Sequence, residues 1–352
     1  MKKNNFTING RVIGEGNAPY IIAEISANHN GNLESAYSLI DAAIEAGADA
    51  VKIQTYTPDT ITLRADTEDF IIKGGLWNGR TLYDLYQEAH TPWDWHGSLF
   101  EYAQRAGITI FSTPFDTSAI DLLEELGAPA YKIASFEAID LPLIRYAAKT
   151  GKPMIISTGM ADAHEIAEAV EAAQSEGCKE LALLHCVSGY PAPAEDYNLR
   201  TIPDMIDRFG LVTGLSDHTL DNVTAIASVV LGAAIIEKHF TLDRNGGGPD
   251  DSFSLEPAEM KELCRGTKTA RSALGRVDYG RKPSEQGNLQ FRRSLYFVKD
   301  MNAGDTITPD CIRSVRPGYG LVPKSAALLV GKKLAYDIKA NTPTSWNVIA
   351  QR

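Results

Sequence analysis

Alternation between short β-branched apolar runs and longer amphipathic segments constrains the fold of this chain more than any other feature. Eight apolar runs predict strands at Tyr20–Ser26, Ala50–Tyr56, Ile108–Phe115, Ala130–Ser135, Pro153–Gly159, Leu181–Val187, Leu211–His218 and Ala234–Thr241. Helical periodicity is clearest at Leu33–Ala46, Trp93–Ala106, Thr117–Leu126, Ala163–Gln174 and Asn222–Leu231. Eight strand–helix units in about 275 residues indicate a (β/α)8 TIM barrel in preference to an open doubly wound sheet. No Gly-x-Gly-x-x-Gly motif opens a helix after the first strand, which argues against a dinucleotide-binding fold.

The last part of the chain has a different character. A polar, basic stretch at residues 276–290 contains Arg276, Arg281 and Lys282 and is typical of a linker. Beyond it, strand-like pieces separated by turn residues occur at Ser294–Val298, Ile312–Val315 and Lys333–Ile338. The predicted organisation is a barrel domain at 1–275, a linker at 276–290 and a small, mostly β module at 291–352.

Composition excludes several classes of protein. The 44% hydrophobic and 22% charged shares describe an ordinary globular chain, and the net charge of −11 argues against a generic nucleic-acid or anionic-membrane binder. Four cysteines form no Cys-x-x-Cys pair, and no apolar signal core follows Met1–Asn5. We therefore expect reduced thiols and a cytoplasmic location.

Two histidines, His218 and His239, each close a predicted strand in the second half of the barrel. Because consecutive parallel strands end side by side at the face where barrel chemistry occurs, the two imidazoles can share one cation. A lone histidine would more often donate to a nearby carbonyl. Two of them on adjacent strand ends, beside Asp217 and Glu237, favour a metal site.

Lysines inside predicted strands are a second informative feature. An unpaired ammonium in a core is costly, so Lys52 and Lys132 need partners. Serine and threonine hydroxyls nearby suggest an anion site for phosphate or carboxylate. Buried Lys–Glu ion pairs are the alternative, since Glu24 and Glu137 are available, and both interpretations can hold together.

Asp250 lies in the Gly-rich segment Asn245–Asp251 after the eighth predicted strand. A loop of this composition can be a flexible lid, a support for a metal site or a solvated turn. The sequence leaves these three possibilities open.

Motifs spread along the chain resemble the sialic acid synthase family. They are Ala23–Gly31, Val51–Gln54, Phe111–Phe115, Tyr131–Ser135, Ser157–Met160, Leu184–Cys186, Gly214–Thr219 and Glu237–Phe240. Val315–Gly320 looks like the signature of the antifreeze-like (SAF) domain that follows the barrel in those enzymes. Within the family, Gly75–Tyr83 and Glu88–Trp93 are similar to the pseudaminic acid synthase branch.

The resemblance implies a reaction and a set of residues. Phosphoenolpyruvate would condense with 2,4-diacetamido-2,4,6-trideoxy-L-altrose, with C–O cleavage, to give a nine-carbon 2-keto sugar acid and phosphate. By motif match, the phosphate and carboxylate of phosphoenolpyruvate would be held by Lys52, Thr113, Lys132, Ser135, Ser157 and Ser216. The sugar and a water would be lined by Glu24, Gln54, Glu137, Tyr190, Asp250 and Arg316, with Glu24 or Glu137 positioning the water. Ser188, also expected to bind substrate, departs from the pattern because sialic acid synthases can place Asn there.

The resemblance also implies a cofactor and an assembly. His218 and His239 would hold a divalent cation, Mn²⁺ or Mg²⁺. The chain would form a domain-swapped homodimer in which the SAF domain, through Arg316, covers the barrel mouth of the partner. In the insert after the second strand, Leu76 and Trp77 are candidates for an apolar wall against the 6-methyl group of the sugar.

Other functions remain open on the sequence alone. The same reaction on N-acetylmannosamine or on the legionaminic acid precursor is the nearest alternative. A barrel aldolase using a lysine Schiff base, or a 3-deoxy-keto-acid-phosphate synthase, is more distant. A non-catalytic sugar- or ice-binding protein is a third class, which the polar strand ends argue against.

Overall fold

A computed structural model describes residues 5–350 of the 352-residue chain. Residues 1–4, at the start of the predicted barrel domain, and residues 351–352, at the end of the predicted SAF domain, lie outside the described part. The chain divides into two compact units between Gly275 and Arg276. Among residues 5–350, none of the helices is long and apolar enough to cross a bilayer.

The first unit begins with a β-hairpin that the sequence analysis did not predict. It pairs β1 (Phe6–Ile8) with β2 (Arg11–Ile13) in antiparallel register. Its turn residues, Asn9 and Gly10, have φ values of 47° and 78°, as a two-residue turn of this twist requires.

Eight parallel strands close a barrel in the order β10-β3-β4-β5-β6-β7-β8-β9, which confirms the predicted TIM barrel. The strands are β3 (Tyr20–Glu24), β4 (Ala50–Thr55), β5 (Thr109–Pro114), β6 (Tyr131–Ile133), β7 (Met154–Ser157), β8 (Leu181–Cys186), β9 (Val212–Asp217) and β10 (Ile235–His239). The second unit contributes the antiparallel pair β11 (Ser294–Phe297) and β12 (Ile312–Val315).

Helices connect the barrel strands and supply the outer layer of its core. They are α1 (Leu33–Ala46), α2 (Pro58–Ile61), α3 (Leu82–Ala89), α4 (Trp93–Ala106), α5 (Thr117–Glu125), α6 (Leu141–Ala148), α7 (Ala163–Ser175), α8 (Thr201–Phe209), α9 (Val223–Val230) and α10 (Pro257–Leu274), with α11 (Ala326–Leu329) in the second unit. Helix α1 shows why the boundaries fall where they do. The Asn32 side chain accepts from the Ser35 amide at its start, and Gly47 ends it in the left-handed region.

The interior of the barrel has an apolar layer below a polar one. Ile22, Ala50, Ala130, Ile155 and Ile235 pack in one buried cluster with Phe6, Ile8 and Ile13 of the hairpin. Side chains alternate along a strand, so the residue two positions later faces the same way. Those later residues are Glu24, Lys52, Lys132, Ser157 and Glu237. The sequence period therefore places a set of polar groups above a sealed hydrophobic floor, toward the carboxyl ends of the strands.

The second unit has its own small core, which includes Leu295, Phe297, Ile307, Leu329 and Leu334. Isolated antiparallel bridges add further pairing within this unit, among them Met301 with Ile338 and Leu334 with Ile349. The preceding stretch is not entirely irregular, because Pro283–Phe291 forms a 3-10 helix.

Candidate active site

A network of buried lysines and glutamates lies where the polar layer begins. Lys52 is ion-paired with Glu24 and donates to Thr113 Oγ1 at 2.9 Å. Its Nζ is 3.9 Å from the Glu237 carboxylate, and the Nζ of Lys132 is 3.5 Å from the other oxygen of Glu237. Strand register explains this arrangement, since Glu24 on β3 pairs directly with Lys52 on β4. Lys52 and Lys132 therefore form buried ion pairs with glutamates, one of the two interpretations that the sequence analysis left open.

The partner of Lys132 differs from the one that was expected. Glu137 is not in ion-pair contact with Lys132, and Glu237, which the sequence analysis considered only as a neighbour of the histidines, takes that place. The signal for Glu237 was its position two residues before His239 on one strand, where alternation points both side chains into the barrel. Ser216 on β9 donates to the same carboxylate at 3.3 Å.

Charges in this network are unequally compensated. Burial lowers the pKa of Lys52, but the Glu237 and Glu24 carboxylates outweigh burial and leave that pKa above its usual value. For Lys132, burial prevails over Glu237 and the pKa is lowered. Burial acts to raise the pKa of Glu237, yet the two ammoniums hold it below its ordinary value. An anion bound beside Lys132 would add the negative charge needed to compensate its ammonium.

The two predicted metal ligands are neighbours at the strand ends. The ring centroids of His218 and His239 are 5.5 Å apart. His218 Nδ1 is 2.8 Å from the Val187 carbonyl oxygen, so Nδ1 is the donor and Nε2 is the nitrogen left for a ligand. His239 Nδ1 lies 3.4 Å from Ser26 Oγ and 3.9 Å from an Asp250 carboxylate oxygen.

This donor set fits a labile divalent cation better than a closed structural site. Within residues 5–350, no three His, Cys, Asp or Glu side chains converge as a complete metal-binding group. Burial, followed by the nearby positive groups, lowers the pKa of His239 well below its usual range, so this imidazole is neutral and able to bind. Burial acts to lower the pKa of His218, but Cys186 and the Val187 carbonyl outweigh it and leave that pKa raised, so a proton competes with a cation for this imidazole. Water and substrate oxygens would complete the coordination.

Asp217 does not join the histidines. Its carboxylate accepts from Lys238 Nζ at 2.9 Å, and Lys238 also donates to the Thr219 carbonyl at 2.7 Å. Residues 217 and 238 alternate with the inward-facing 216 and 237, so this ion pair lies on the other side of the strands. The suggestion that Asp217 supports the metal site was wrong.

Serine hydroxyls form a second group near the ends of β6, β7 and β8. Ser135 Oγ accepts from the Gly159 amide at 3.1 Å, while the buried hydroxyls of Ser157 and Ser188 have no partner in the described part of the chain. A Cβ on Gly159 would lie 2.8 Å from Ser135 Oγ and still closer to Ser188 Oγ, so a larger residue here would push these hydroxyls aside. Unpartnered buried hydroxyls are costly and indicate a polar ligand.

Aromatic rings surround the histidines. Tyr190 lies 4.4 Å from His218 between ring centroids, and Phe253 lies 5.0 Å from His239. Trp77, from the insert after β4, is 5.9 Å from Tyr190. Leu76, expected to share the apolar wall with Trp77, is instead 49% exposed.

The Gly-rich loop after β10 is held in place by hydrogen bonds. Asp250 accepts from Ser26 Oγ, and the next residue, Asp251, accepts from Asn30 Nδ2 at 2.9 Å and from the Gly248 amide at 2.8 Å. Asp251 is buried, whereas its partner Asn30 is exposed. The first residues of the segment, 245–247, are exposed, but its end is anchored by these bonds and brings Asp250 beside His239.

The two carboxylates proposed to position water differ in their surroundings. Glu24 is ion-paired with Lys52 and accepts from the Ser26 amide at 2.9 Å. Glu137, in the 3-10 turn Ser135–Glu137, has a buried oxygen with no partner among residues 5–350. Burial raises the pKa of Glu137 to about 7, and burial raises that of Glu24 to about 7 against its lysine. Of these two carboxylates, Glu24 is engaged by the Lys52 ammonium, whereas Glu137 has no ion pair among residues 5–350 and is the better placed to accept a proton from water.

Two of the predicted residues are not connected to the network. Gln54 pairs with Thr113 in the β4–β5 register and is partly exposed. Arg316 is an exposed residue of the second unit. A groove of about 610 Å³ beside α8 and α9 contains none of the predicted site residues.

Several residues of the site escaped the sequence analysis. Apart from Glu237, they are Ser26, Phe253, Tyr86 and Cys186. Burial raises the pKa of Tyr86, on α3, and the Glu137 carboxylate adds to that shift. Ser26 lay within the motif Ala23–Gly31 but was not assigned a role there, and Phe253, in the short 3-10 helix Asp251–Phe253, had no distinguishing signal in the sequence.

Comparisons with known proteins agree with this picture. The NeuB family model matches residues 39–279, and the SAF domain model matches residues 292–350. The chain is 45% identical over 341 residues to a pseudaminic acid synthase of Campylobacter jejuni subsp. jejuni serotype O:2, covering 96% of this chain and 97% of that protein. It is 43% identical over 328 residues to the pseudaminic acid synthase of Helicobacter pylori, covering 93% and 96% respectively.

More distant matches extend across the same fold. An N,N'-diacetyllegionaminic acid synthase of Legionella pneumophila is 36% identical over 354 residues, covering 98% of this chain and 99% of that protein. The solved structure of an N-acetylneuraminic acid (sialic acid) synthetase from Leptospira borgpetersenii, in complex with citrate, has a TM-score of 0.73 and 33% identity, covering 82% of this chain and 96% of that one. These matches confirm the predicted resemblance, including the SAF domain.

Proposed function

Because this chain belongs to the NeuB family, we propose that it is a pseudaminic acid synthase. It condenses phosphoenolpyruvate with 2,4-diacetamido-2,4,6-trideoxy-L-altrose and releases phosphate. The observation that carries the choice of sugar is the 45% identity to a pseudaminic acid synthase, against 36% to a legionaminic acid synthase over a similar length. The observation that supports the reaction class is the buried lysine–glutamate network beside the two histidines.

Phosphoenolpyruvate is held by the lysines and the serine hydroxyls. Its phosphate and carboxylate are anions, and Lys132 is the ammonium whose charge the neighbouring carboxylates compensate less. Lys52 and Thr113 hold the neighbouring oxygens. Ser135, Ser157, Ser188 and Ser216 supply further hydroxyls, two of which, those of Ser157 and Ser188, have no hydrogen-bond partner among residues 5–350.

The amino sugar lies on the histidine side. His218 and His239 would hold a divalent cation, Mn²⁺ or Mg²⁺, which supplies Lewis-acid polarisation of the sugar aldehyde. Tyr190 packs against His218 and limits the freedom of the sugar above it. Asp250 and Gln54 offer polar groups to the sugar hydroxyls and amides.

Carbon–carbon bond formation begins when C3 of phosphoenolpyruvate attacks the aldehyde carbon. C2 becomes electron-poor, and the carboxylates of Glu24 and Glu237 beside Lys52 stabilise the positive charge that develops there. The aldehyde oxygen becomes a hydroxyl by taking up a proton from solvent.

Water then completes the reaction. Glu137 accepts a proton from a water molecule through its unpartnered oxygen, and the water oxygen adds to C2. At the resulting tetrahedral carbon the bond between C2 and the phosphate oxygen breaks, and the new C2 hydroxyl gives its remaining proton to the departing phosphate as it becomes the keto group of the 2-keto acid. Lys52 and Lys132 offset the charge on the departing phosphate.

The enzyme acts as a homodimer in this proposal, in the cytoplasm, where its buried and free cysteines stay reduced. Arg316 from one protomer reaches the sugar in the barrel of its partner, and its exposed guanidinium is available for such a contact. Co-expression of Arg316→Ala and His218→Ala chains tests this. If the SAF domain acts in trans, each heterodimer has one intact site and regains up to about half the activity. If it acts in cis, mixing restores nothing.

Phosphate release from phosphoenolpyruvate across a panel of amino sugars tests the proposed function. The expected result is the highest kcat/KM with the 2,4-diacetamido-6-deoxy sugar. A higher value with N-acetylmannosamine or with the legionaminic acid precursor would assign the chain to another member of the family. Trapping of a lysine adduct by borohydride with pyruvate would indicate an aldolase instead.

A further inference from the structure

The loop between Ile72 and Arg80 presents one indole side chain. The Ile72 amide donates to the Arg80 carbonyl at 2.9 Å, and the Gly79 amide donates back to the Ile72 carbonyl at 2.8 Å. Gly79, like Gly74 and Gly75, has a positive φ that suits glycine in such a closed turn. Every residue from 73 to 79 is exposed except Trp77.

Trp77 makes two contacts that connect this loop to the candidate active site. Its Nε1–H donates to the Pro249 carbonyl at 3.0 Å, in the Gly-rich loop after β10. Its ring lies 5.9 Å from that of Tyr190, which in turn lies 4.4 Å from His218. Trp77, Tyr190 and His218 are therefore a row of successive neighbouring rings, with Tyr190 in the middle.

We infer that Trp77 is the residue of the insert that discriminates between sugars. This inference rests on the proposed function, because it assumes an open-chain sugar whose aldehyde lies at the histidines. The end of that sugar then extends along the row of rings toward the indole. An apolar indole face accommodates a methyl group at C6, whereas a hydroxymethyl group there would lose its hydrogen bonds to water.

The hydrogen bond to Pro249 gives Trp77 a second effect. Pro249 directly precedes Asp250, whose carboxylate accepts from Ser26 Oγ and lies 3.9 Å from His239 Nδ1. The indole N–H therefore fixes the backbone next to a carboxylate of the metal side. Through this bond, the loop that recognises the sugar and the loop that carries Asp250 keep one relative position.

Two substitutions separate these effects, with the neighbouring residue as the matched control. Trp77→Ala removes both the wall and the donor, while Trp77→Phe keeps an apolar ring and removes only the donor. Leu76→Ala changes an exposed residue of the same loop. The principal measurement is the ratio of kcat/KM for the 6-deoxy sugar to that for N-acetylmannosamine, together with the KM for phosphoenolpyruvate and the thermal midpoint of each variant.

Trp77→Ala is expected to lower the ratio about tenfold, in the range of apolar-pocket discrimination, with the KM for phosphoenolpyruvate unchanged. Trp77→Phe should keep most of the ratio but speed hydrogen exchange at the Gly248 and Asp251 amides. Leu76→Ala should change neither. An equal loss with both sugars in Trp77→Ala would overturn the inference, since a merely structural residue has that effect. Unchanged exchange in Trp77→Phe would overturn the role of the hydrogen bond.

The experiment distinguishes an error in the proposed function from an error in the role of Trp77. If the wild-type enzyme prefers N-acetylmannosamine, the sugar assignment is wrong, whatever Trp77 does. The inference then stands only if Trp77→Ala still shifts the ratio between the two sugars about tenfold. A ratio that stays the same in that variant contradicts it in either case.

Discussion

Replacing Glu237 by glutamine tests how the buried charges are compensated. Its carboxylate lies 3.5 Å from Lys132 Nζ and 3.9 Å from Lys52 Nζ, and all three side chains are at most 7% exposed. Glutamine keeps the shape and the hydrogen bond from Ser216 but removes the charge. Removing one partner of a buried ion pair costs about 3–5 kcal/mol, and because Lys52 keeps Glu24, we expect about 3 kcal/mol. This corresponds to a thermal midpoint lower by roughly 6–10 °C.

The assay is thermal unfolding with and without inorganic phosphate. Phosphate should stabilise Glu237→Gln more than the wild type, because it supplies the negative charge that the variant lacks at the two lysines. Glu171→Gln, an exposed residue of α7, is the control and should differ from wild type by less than about 0.5 kcal/mol. A midpoint within about 2 °C of wild type, or equal stabilisation of both proteins by phosphate, would show that Glu237 does not compensate these lysines.

Three further predictions concern the metal, the water and the sugar. EDTA should abolish phosphate release and Mn²⁺ restore it, and His218→Ala should lose Mn²⁺ binding in a direct titration; full activity after chelation would contradict the metal site. Burial raises the pKa of Glu137 from its usual 4.5 to about 7, so the folded chain binds this proton more tightly than the unfolded chain does. The free energy of unfolding therefore falls as the pH rises from 4.5 to about 7. Glu137→Gln should flatten that dependence and remove the acidic limb of kcat/KM near pH 7, and an unchanged profile would assign the water to another group. The 6-deoxy sugar should exceed N-acetylmannosamine in kcat/KM by about tenfold or more, and equal values in competition would reject the assignment.

The barrel was predictable because its signal is local. Seven of the eight barrel strands contain β-branched residues, all but β8. The predicted helix Trp93–Ala106 has the same bounds in the structure. The hairpin at Phe6–Ile13 was missed because its strands have only three residues each, too few to show a period. Helix α10 was not predicted either, because its segment Pro257–Leu274 is polar on average, although it buries Met260, Leu263 and Cys264.

The site was predictable where chemistry and strand alternation coincide. From lysines and histidines at strand ends, the sequence predicted that Lys52 has charged or polar partners and that His218 and His239 are neighbours, and the structure shows both. The sequence could not assign the partner of Lys132, because an ion pair between distant strands depends on closure of the barrel. The sequence offered Trp77 and Leu76 together as candidates for an apolar wall against the sugar. Only the fold shows that Trp77 contacts the loop after β10 while Leu76 is exposed.

The path of the bridging oxygen of phosphoenolpyruvate tests the central claim most directly. The enzyme is incubated with Mn²⁺, the 2,4-diacetamido-6-deoxy sugar and phosphoenolpyruvate labelled with ¹⁸O between C2 and phosphorus, and both products are analysed by mass spectrometry. Attack of water at C2, followed by loss of phosphate, predicts a nine-carbon keto acid free of the label and phosphate that carries it. Unlabelled phosphate with the label retained in the keto acid would mean P–O cleavage and would contradict the mechanism, and no nine-carbon product would contradict the proposed function itself.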